Sequence, residues 1–214
     1  MDKVGHMFSA YFLSNMGARI LRNHSLETRK ANLAGSLAGF LAVSQIEIFD
    51  GFSNEYGASI PDLAANATGA LLAWSQMELW GEPRFRLKYS FHRTQYAAQR
   101  PEVLGRNIGE ELIKDYNGQT YWLSADIDKF LPANAQFPKW LNLAVGYGAE
   151  NMIFARDANS HYRQYYLSFD IDLSHLRSRN KWINFLLEGV NLIRLPAPAL
   201  ELNRNGIKFH WLYF

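Results

Sequence analysis

Gly81-Glu82-Pro83-Arg84-Phe85-Arg86-Leu87-Lys88-Tyr89-Ser90-Phe91-His92 is the stretch on which the fold turns. Before it, apolar residues recur at helical spacing. From Arg84 on, Phe85, Leu87, Tyr89 and Phe91 alternate one for one with Arg84, Arg86, Lys88, Ser90 and His92. A period of two marks a strand with two unlike faces, and Gly81 with Pro83 punctuates the change. The alternation returns at Leu141, Leu143, Val145 and Tyr147, and again at Ile207, Phe209, Trp211 and Tyr213. The expected fold class is therefore α+β, with a three-helix segment over residues 1–80 and a mainly antiparallel β segment with interspersed helices over 81–214.

Upstream, residues 3–22 read as a first helix with Arg19 and Arg22 favouring its C-terminal end. Asn23-His24-Ser25 breaks it, and Ser25 is the expected N-cap of a second helix running through Leu33, Leu37, Phe40, Leu41 and Ile48 to Gly51. Gly35, Ala38, Gly39 and Ala42 form a small-residue strip that admits a neighbouring backbone. Ser59 opens a third helix, with Pro61 in its first turn and Asp62 in the third position of a capping box, continuing to about Met77. Residues 4–18, 31–46 and 63–77 carry no full charge, but each falls short of the roughly 18 to 20 residues of a spanning helix. Buried or membrane-dipping helices are expected there.

In the second half, helical spacing is expected near 101–115 and 181–193, the latter stopped by Pro196 and Pro198. Tyr121-Trp122-Leu123-Ser124-Ala125-Asp126-Ile127-Asp128 is echoed by Tyr165-Tyr166-Leu167-Ser168-Phe169-Asp170-Ile171-Asp172. Each copy puts Ser, Asp and Asp on one strand face and Leu and Ile on the other, as equivalent strands of one sheet would.

Composition narrows the function classes. A chain of 214 residues with 48% hydrophobic content can bury a sizeable core. Its net charge of +2, with basic residues scattered among acids, excludes the basic footprint of a nucleic-acid binder. Without cysteine there is no disulfide, thiolate metal site or cysteine nucleophile, which leaves His, Asp and Glu as ligands or catalysts. The opening Met1-Asp2-Lys3 has no signal-peptide pattern, so the expectation is either a protein that is not exported or a trimmed mature form.

Three polar motifs sit in the apolar first third: Asp2-Lys3-x-x-His6, Glu47-x-x-Asp50-Gly51, and Ser59-x-x-Asp62-x-x-x-Asn66-x-x-Gly69. Ionisable groups in such surroundings are costly unless they meet, so one shared site is expected. His6, Glu47, Asp50 and Asp62 are its catalytic candidates, and Asp2, Lys3, His6, Glu47, Asp50 and Asn66 its ligand-binding candidates. His6, Glu47 and Asp50 are the candidate ligands for a divalent metal, the cofactor class these residue types suit. The structural alternative has Asp62 capping a helix, Asp2 favouring a helix N-terminus and Lys3 pairing with Glu47. Asp126, Asp128, Asp170 and Asp172 could line a metal or sugar site or a solvated face. His92, His161, His175 and His210 have no motif partners and are expected at the surface or an interface. Gly146-Tyr147-Gly148 lacks the spacing of a phosphate loop, and no nucleophile elbow occurs.

The three motifs resemble those of the YfiM-like periplasmic lipoproteins, a family of unknown function, over roughly residues 1–80. More distantly they resemble the VanZ-like membrane proteins, which share an Asp-Lys-x-x-His start and a later Asp-x-x-x-Asn-x-x-Gly. The resemblance implies a bacterial cell envelope, outer membrane or periplasm, reached by a leader that this numbering lacks, with membrane or envelope components as partners. The lipid-attachment cysteine of that pattern is missing here. Independently, the alternation up to Phe214 resembles the last strand of an outer-membrane barrel, although five or six candidate strands fall below the eight such a barrel needs. The favoured expectation is an envelope protein that is structural or ligand-binding. Its rivals are a membrane-associated, metal-dependent hydrolase of lipid or glycan and a small outer-membrane barrel with Arg86, Lys88, Asp126, Asp128, Asp170 and Asp172 on its inner face.

Overall fold

The computed structural model describes residues 1–24, 26–52, 57–132, 134–153, 161–176 and 178–214. The chain divides into two compact units, Asp2–Arg84 and Phe85–Phe214. The first holds α1 (Asp2–Asn23), α2 (Thr28–Gly51) and α3 (Ile60–Trp80), each in contact with the other two. Ser59 caps α3 as its sequence predicts, its hydroxyl accepting from Asp62 N at 3.3 Å, and Gly81 closes it with φ 70°, a left-handed conformation that glycine adopts without strain. The expected Ser25 cap lies outside the described residues. At the start of α2, Glu27 holds the cap position without a side-chain hydrogen bond.

What the bundle buries is small or polar. The inner line of α2 is Ala31, Gly35, Gly39 and Val43 with Asn32, Ser36, Ser44 and Glu47, while Leu33, Leu37, Leu41, Ile46 and Ile48 face outward. The small-residue strip therefore splits. Gly35 and Gly39 face α1, where a Cβ on either would meet the Ala18 or Ser14 backbone, whereas Ala38 and Ala42 are exposed on the neighbouring row. By length and composition α2, with 24 residues, is long and apolar enough to cross a membrane, more than its uncharged stretch suggested.

The second unit is one antiparallel sheet in sequence order: β1 (Phe85–Phe91), β2 (Gln119–Ala125), β3 (Leu141–Glu150), β4 (Tyr162–Ile171), β5 (Ala197–Asn203) and β6 (Gly206–Tyr213). Helices α4 (Pro101–Leu104) and α5 (Ile108–Lys114) lie in the β1–β2 connection, and α6 (Lys181–Val190) lies between β4 and β5. The sheet curls strongly. Strands in a flat sheet are spaced by about 4.8 Å, yet Lys88 of β1 reaches Asp170 of β4 at 2.8 Å, and the Trp122 ring of β2 lies 6.0 Å from that of Tyr213 on β6. It does not close: among the described residues β1 and β6 do not pair, so the small-barrel expectation is corrected. Part of the reason is that the outer edge of β1 is occupied, with Tyr89 N donating to Leu192 O at 2.8 Å and Arg194 N donating to Tyr89 O at 2.9 Å.

Register explains the internal echo. Ser124 and Ser168 both stand opposite Ala144, and Leu123 and Leu167 both stand opposite Val145, because β2 and β4 flank the same strand. The inner face carries the polar copies: Lys88, Ser90, Thr120, Ser124, Asn142, Ser168 and Asp170 are all buried around Trp122, Tyr166 and Tyr213. The outer face carries two apolar cross-strand rows. One is Tyr89, Tyr121, Tyr147 and Tyr165; the next is Leu87, Leu123, Val145, Leu167, Leu200 and Phe209. Tyr89 donates to Leu112 O of α5 at 2.6 Å, so the helix covers that end of the row. On β3 to β6 the face is open, with Val145 50%, Leu167 46%, Phe169 56% and Trp211 79% exposed.

Candidate functional site

The polar motifs of the helical unit converge. Asp2, Lys3 and His6 lie in the first two turns of α1, Glu47 in the last turn of α2, and Asp62 and Asn66 in the first two turns of α3. Lys3 Nζ donates to Asp62 Oδ1 at 2.5 Å, and His6 Nδ1 lies 3.1 Å from Asn66 Oδ1. Because the Asn66 amide donates to Ser44 Oγ at 3.3 Å, its oxygen faces the imidazole, and this network assigns the proton to Nδ1. His6 Nε2 then looks toward Glu47 Oε1 at 3.5 Å and Asp2 Oδ1 at 3.9 Å.

Glu47 is 3% exposed and accepts the Ser59 backbone N–H at 2.9 Å through Oε2. It thus fills the half of the capping box that sequence assigned to Asp62, whose carboxylate turns to Lys3 instead. The expected Lys3–Glu47 pair is replaced by Lys3–Asp62. Asp50 joins no hydrogen bond or ion pair of the cluster among the described residues: three positions along a helix turn it about 60° away from Glu47.

Burial alone would push the Asp62 carboxyl up, but the hydrogen bonds from Lys3 and Ser59 and the charges of Lys3 and His6 outweigh it and hold it below its ordinary value. A carboxyl depressed on folding contributes stability above the unfolded value near ~3.9, which is lost as pH falls through the folded one. The helical unit therefore loses stability in that acid window, and thermal unfolding followed at successive pH values shows a smaller loss in Asp62→Asn. Ser59→Ala removes the cap and lowers stability by about 1 kcal/mol in the same assay.

Chemically, the cluster offers one imidazole nitrogen and three carboxylates: Asp2, His6 and Asp62 place a ligand atom each within 4.8 Å of one another, and Glu47 Oε1 lies 3.5 Å from His6 Nε2. Asp2 and Lys3 are half-exposed at the rim, while Glu47, Asp62 and Asn66 are buried. The set suits a proton or a divalent cation, and Lys3 already occupies Asp62.

The inner face of the sheet holds the second concentration of charge. Lys88 Nζ is 2.8 Å from Asp170 Oδ2 and also donates to Ile171 O at 2.8 Å and Asn191 Oδ1 at 2.9 Å. Arg194 stacks over the Trp122 ring, 3.8 Å from its centroid, and donates to Tyr213 O at 2.8 Å. Two of the histidines without motif partners have carboxylates after all. His210 Nε2 is 2.7 Å from Glu201 Oε2, and His175 lies between Asp126 and Asp172 at 4.0 and 3.9 Å. Arg86, Lys88, Asp126, Asp170 and Asp172 were legible as an inner face from alternation. Arg194 and Asn191 were not, because the helical spacing expected over 181–193 runs past the end of the helix at Val190, and Asn191 to Arg194 lie beyond it.

No curated protein and no solved structure matches the chain. Residues 1–77, the part that contains the whole helical cluster, are similar to the family described as predicted periplasmic lipoprotein (DUF2279).

Proposed function

We propose that the chain is a bacterial envelope protein whose β unit lies with its outer face against lipid, and whose helical cluster locks three helix ends together. The match of residues 1–77 supports the envelope, and the Asp2-Lys3-x-x-His6 start carries the finer YfiM-like and VanZ-like affiliation. The observation that carries the lipid contact is the inverted polarity of the sheet. Its buried face holds Lys88, Asp170, Arg194 and Glu201, while its open face on β3 to β6 is aliphatic and aromatic. Water favours the opposite arrangement.

The tyrosine row beside the aliphatic row repeats the order of a membrane interface, where amphipathic rings sit at headgroup level next to an apolar band. Strands β3 and β4, at ten residues each, have the length for it. Within the cluster, Lys3–Asp62 and His6–Asn66 join α1 to α3, Glu47–Ser59 joins α2 to the start of α3, and His6–Glu47 brings α1 to α2, which supports a locking role.

Leu167→Arg places a charge at the centre of the aliphatic row. A charge at that depth costs about 2–4 kcal/mol, so the variant is expected to float at least tenfold less with phosphatidylethanolamine and phosphatidylglycerol vesicles, at unchanged circular dichroism. A wild-type protein that does not float, or a variant that floats equally well, overturns the reading.

A further inference from the structure

The Asp126 end of the sheet's inner face has an excess of buried acceptors. Asp126 is 1% exposed, yet neither of its carboxylate oxygens accepts a hydrogen bond among the described residues. Continuing the β2–β3 register places Asp126 beside Asn142, which pairs with Asp170 on β4. Asn142 Oδ1 and Asp170 Oδ1, both buried, also accept nothing among the described residues. The unsatisfied atoms of Asp126, Asn142 and Asp170 are all acceptors, which a donor or a cation would complete; Arg86 Nε, 3.3 Å from Asp172 Oδ2, is a buried donor beside them that makes no hydrogen bond among the described residues.

We propose that Asp126, Asp172 and His175 bind a divalent transition-metal ion of the Zn²⁺ or Mn²⁺ class. One ligand atom from each lies within 4.8 Å of the others, with His175 Nε2 at 4.0 Å from Asp126 Oδ2 and 3.9 Å from Asp172 Oδ2. Ligand atoms about 2.0–2.2 Å from a zinc ion stand somewhat closer together than that. His175, exposed on the short turn Leu173–His175, is the member free to close the gap. One imidazole with two carboxylates is a donor set for Zn²⁺ or Mn²⁺ rather than for Ca²⁺, which takes oxygens throughout.

Asp172 is already oriented: Oδ1 accepts from Ser174 N at 2.9 Å and Asn191 Nδ2 at 2.8 Å, as outer-shell partners orient a metal-binding carboxylate. Two cations face the site, Lys129 Nζ 3.3 Å from Asp126 Oδ2 and Arg86 Nε 3.3 Å from Asp172 Oδ2. They balance the two carboxylates, so each lowers the affinity for an incoming ion.

The test is calorimetric titration of the chelator-stripped full chain with Zn²⁺ and with Mn²⁺, alongside thermal unfolding. The wild type is expected to bind one ion at this site and to gain thermal stability from it. Asp126→Asn and His175→Ala each weaken binding at least tenfold, the range for a lost ligand or its support. Lys129→Met binds roughly tenfold tighter, since one repelling charge is gone. His6→Ala changes nothing here. The proposal is overturned if the wild type binds neither ion at millimolar concentration, if Asp126→Asn binds as the wild type does, or if binding is lost in His6→Ala instead. It is also overturned if Lys129→Met binds more weakly, which would make the Lys129–Asp126 pair purely structural.

Discussion

Lys88→Met is expected to lower the unfolding free energy by about 3–5 kcal/mol, the cost of leaving one partner of a buried ion pair unpaired. Lys88 and Asp170 have side chains 1% and 0% exposed, so water cannot replace the lost ammonium. The loss also strips donors from Ile171 O and Asn191 Oδ1, and among the described residues Asp170 keeps the Ser124 hydroxyl at 2.7 Å as its one hydrogen-bond donor. Because the pair joins β1 to β4, its removal also releases the curl of the sheet. In the double variant Lys88→Met/Asp170→Asn the second change costs far less than it does alone, since no charge is left buried without its counter-ion. Denaturant unfolding of the four proteins measures the coupling, and additive losses would mean the two groups do not act as a pair.

Gly35→Ala carries the second large effect, about 3 kcal/mol or more of lost stability in the helical unit. A Cβ at Gly35 would stand 2.1 Å from Ala18 N and 2.5 Å from Ala18 Cα, both backbone atoms that cannot swing aside. Helices α1 and α2 must separate to admit it, and the polar contacts at their ends separate with them. Gly57→Ala is the control, with nothing within 4 Å of the added methyl. Thermal unfolding followed by circular dichroism distinguishes them: a steep drop for Gly35→Ala and little change for Gly57→Ala.

The elements were readable where a local rule fixed them. Ser59 and Gly81 bracket α3 because one supplies a cap oxygen and the other a left-handed φ. Phe85 to Phe91 reads as a strand because its alternation survives in the register, with Leu87 opposite Leu123 on the outer face and Lys88 opposite Trp122 on the inner one. Closure was not readable: whether β1 meets β6 depends on where Leu192 to Arg194 dock, and this segment, expected in part as the end of a helix over 181–193, leaves the helix after Val190 and takes the β1 edge. In the cluster, the four-residue spacing of Asp62 and Asn66 implied one shared helix face. The exchange of partners, Lys3 to Asp62 and Glu47 to Ser59, was set by how three helix ends approach, which spacing within one helix does not encode. The unusual polarity was half legible. Alternation separated Ser-Asp-Asp from Leu-Ile, but only the curl of the sheet decides which set is enclosed.

Fluorescence quenching by brominated acyl chains tests the inverted polarity of the sheet most directly. Trp211 stands on the open face at 79% exposure, and Trp122 is enclosed at 1%. With vesicles containing brominated lipid, the wild type is expected to lose fluorescence, and Trp211→Phe to lose a clearly smaller fraction while Trp122 continues to emit. Equal emission with brominated and unbrominated vesicles would contradict the placement of this face against lipid.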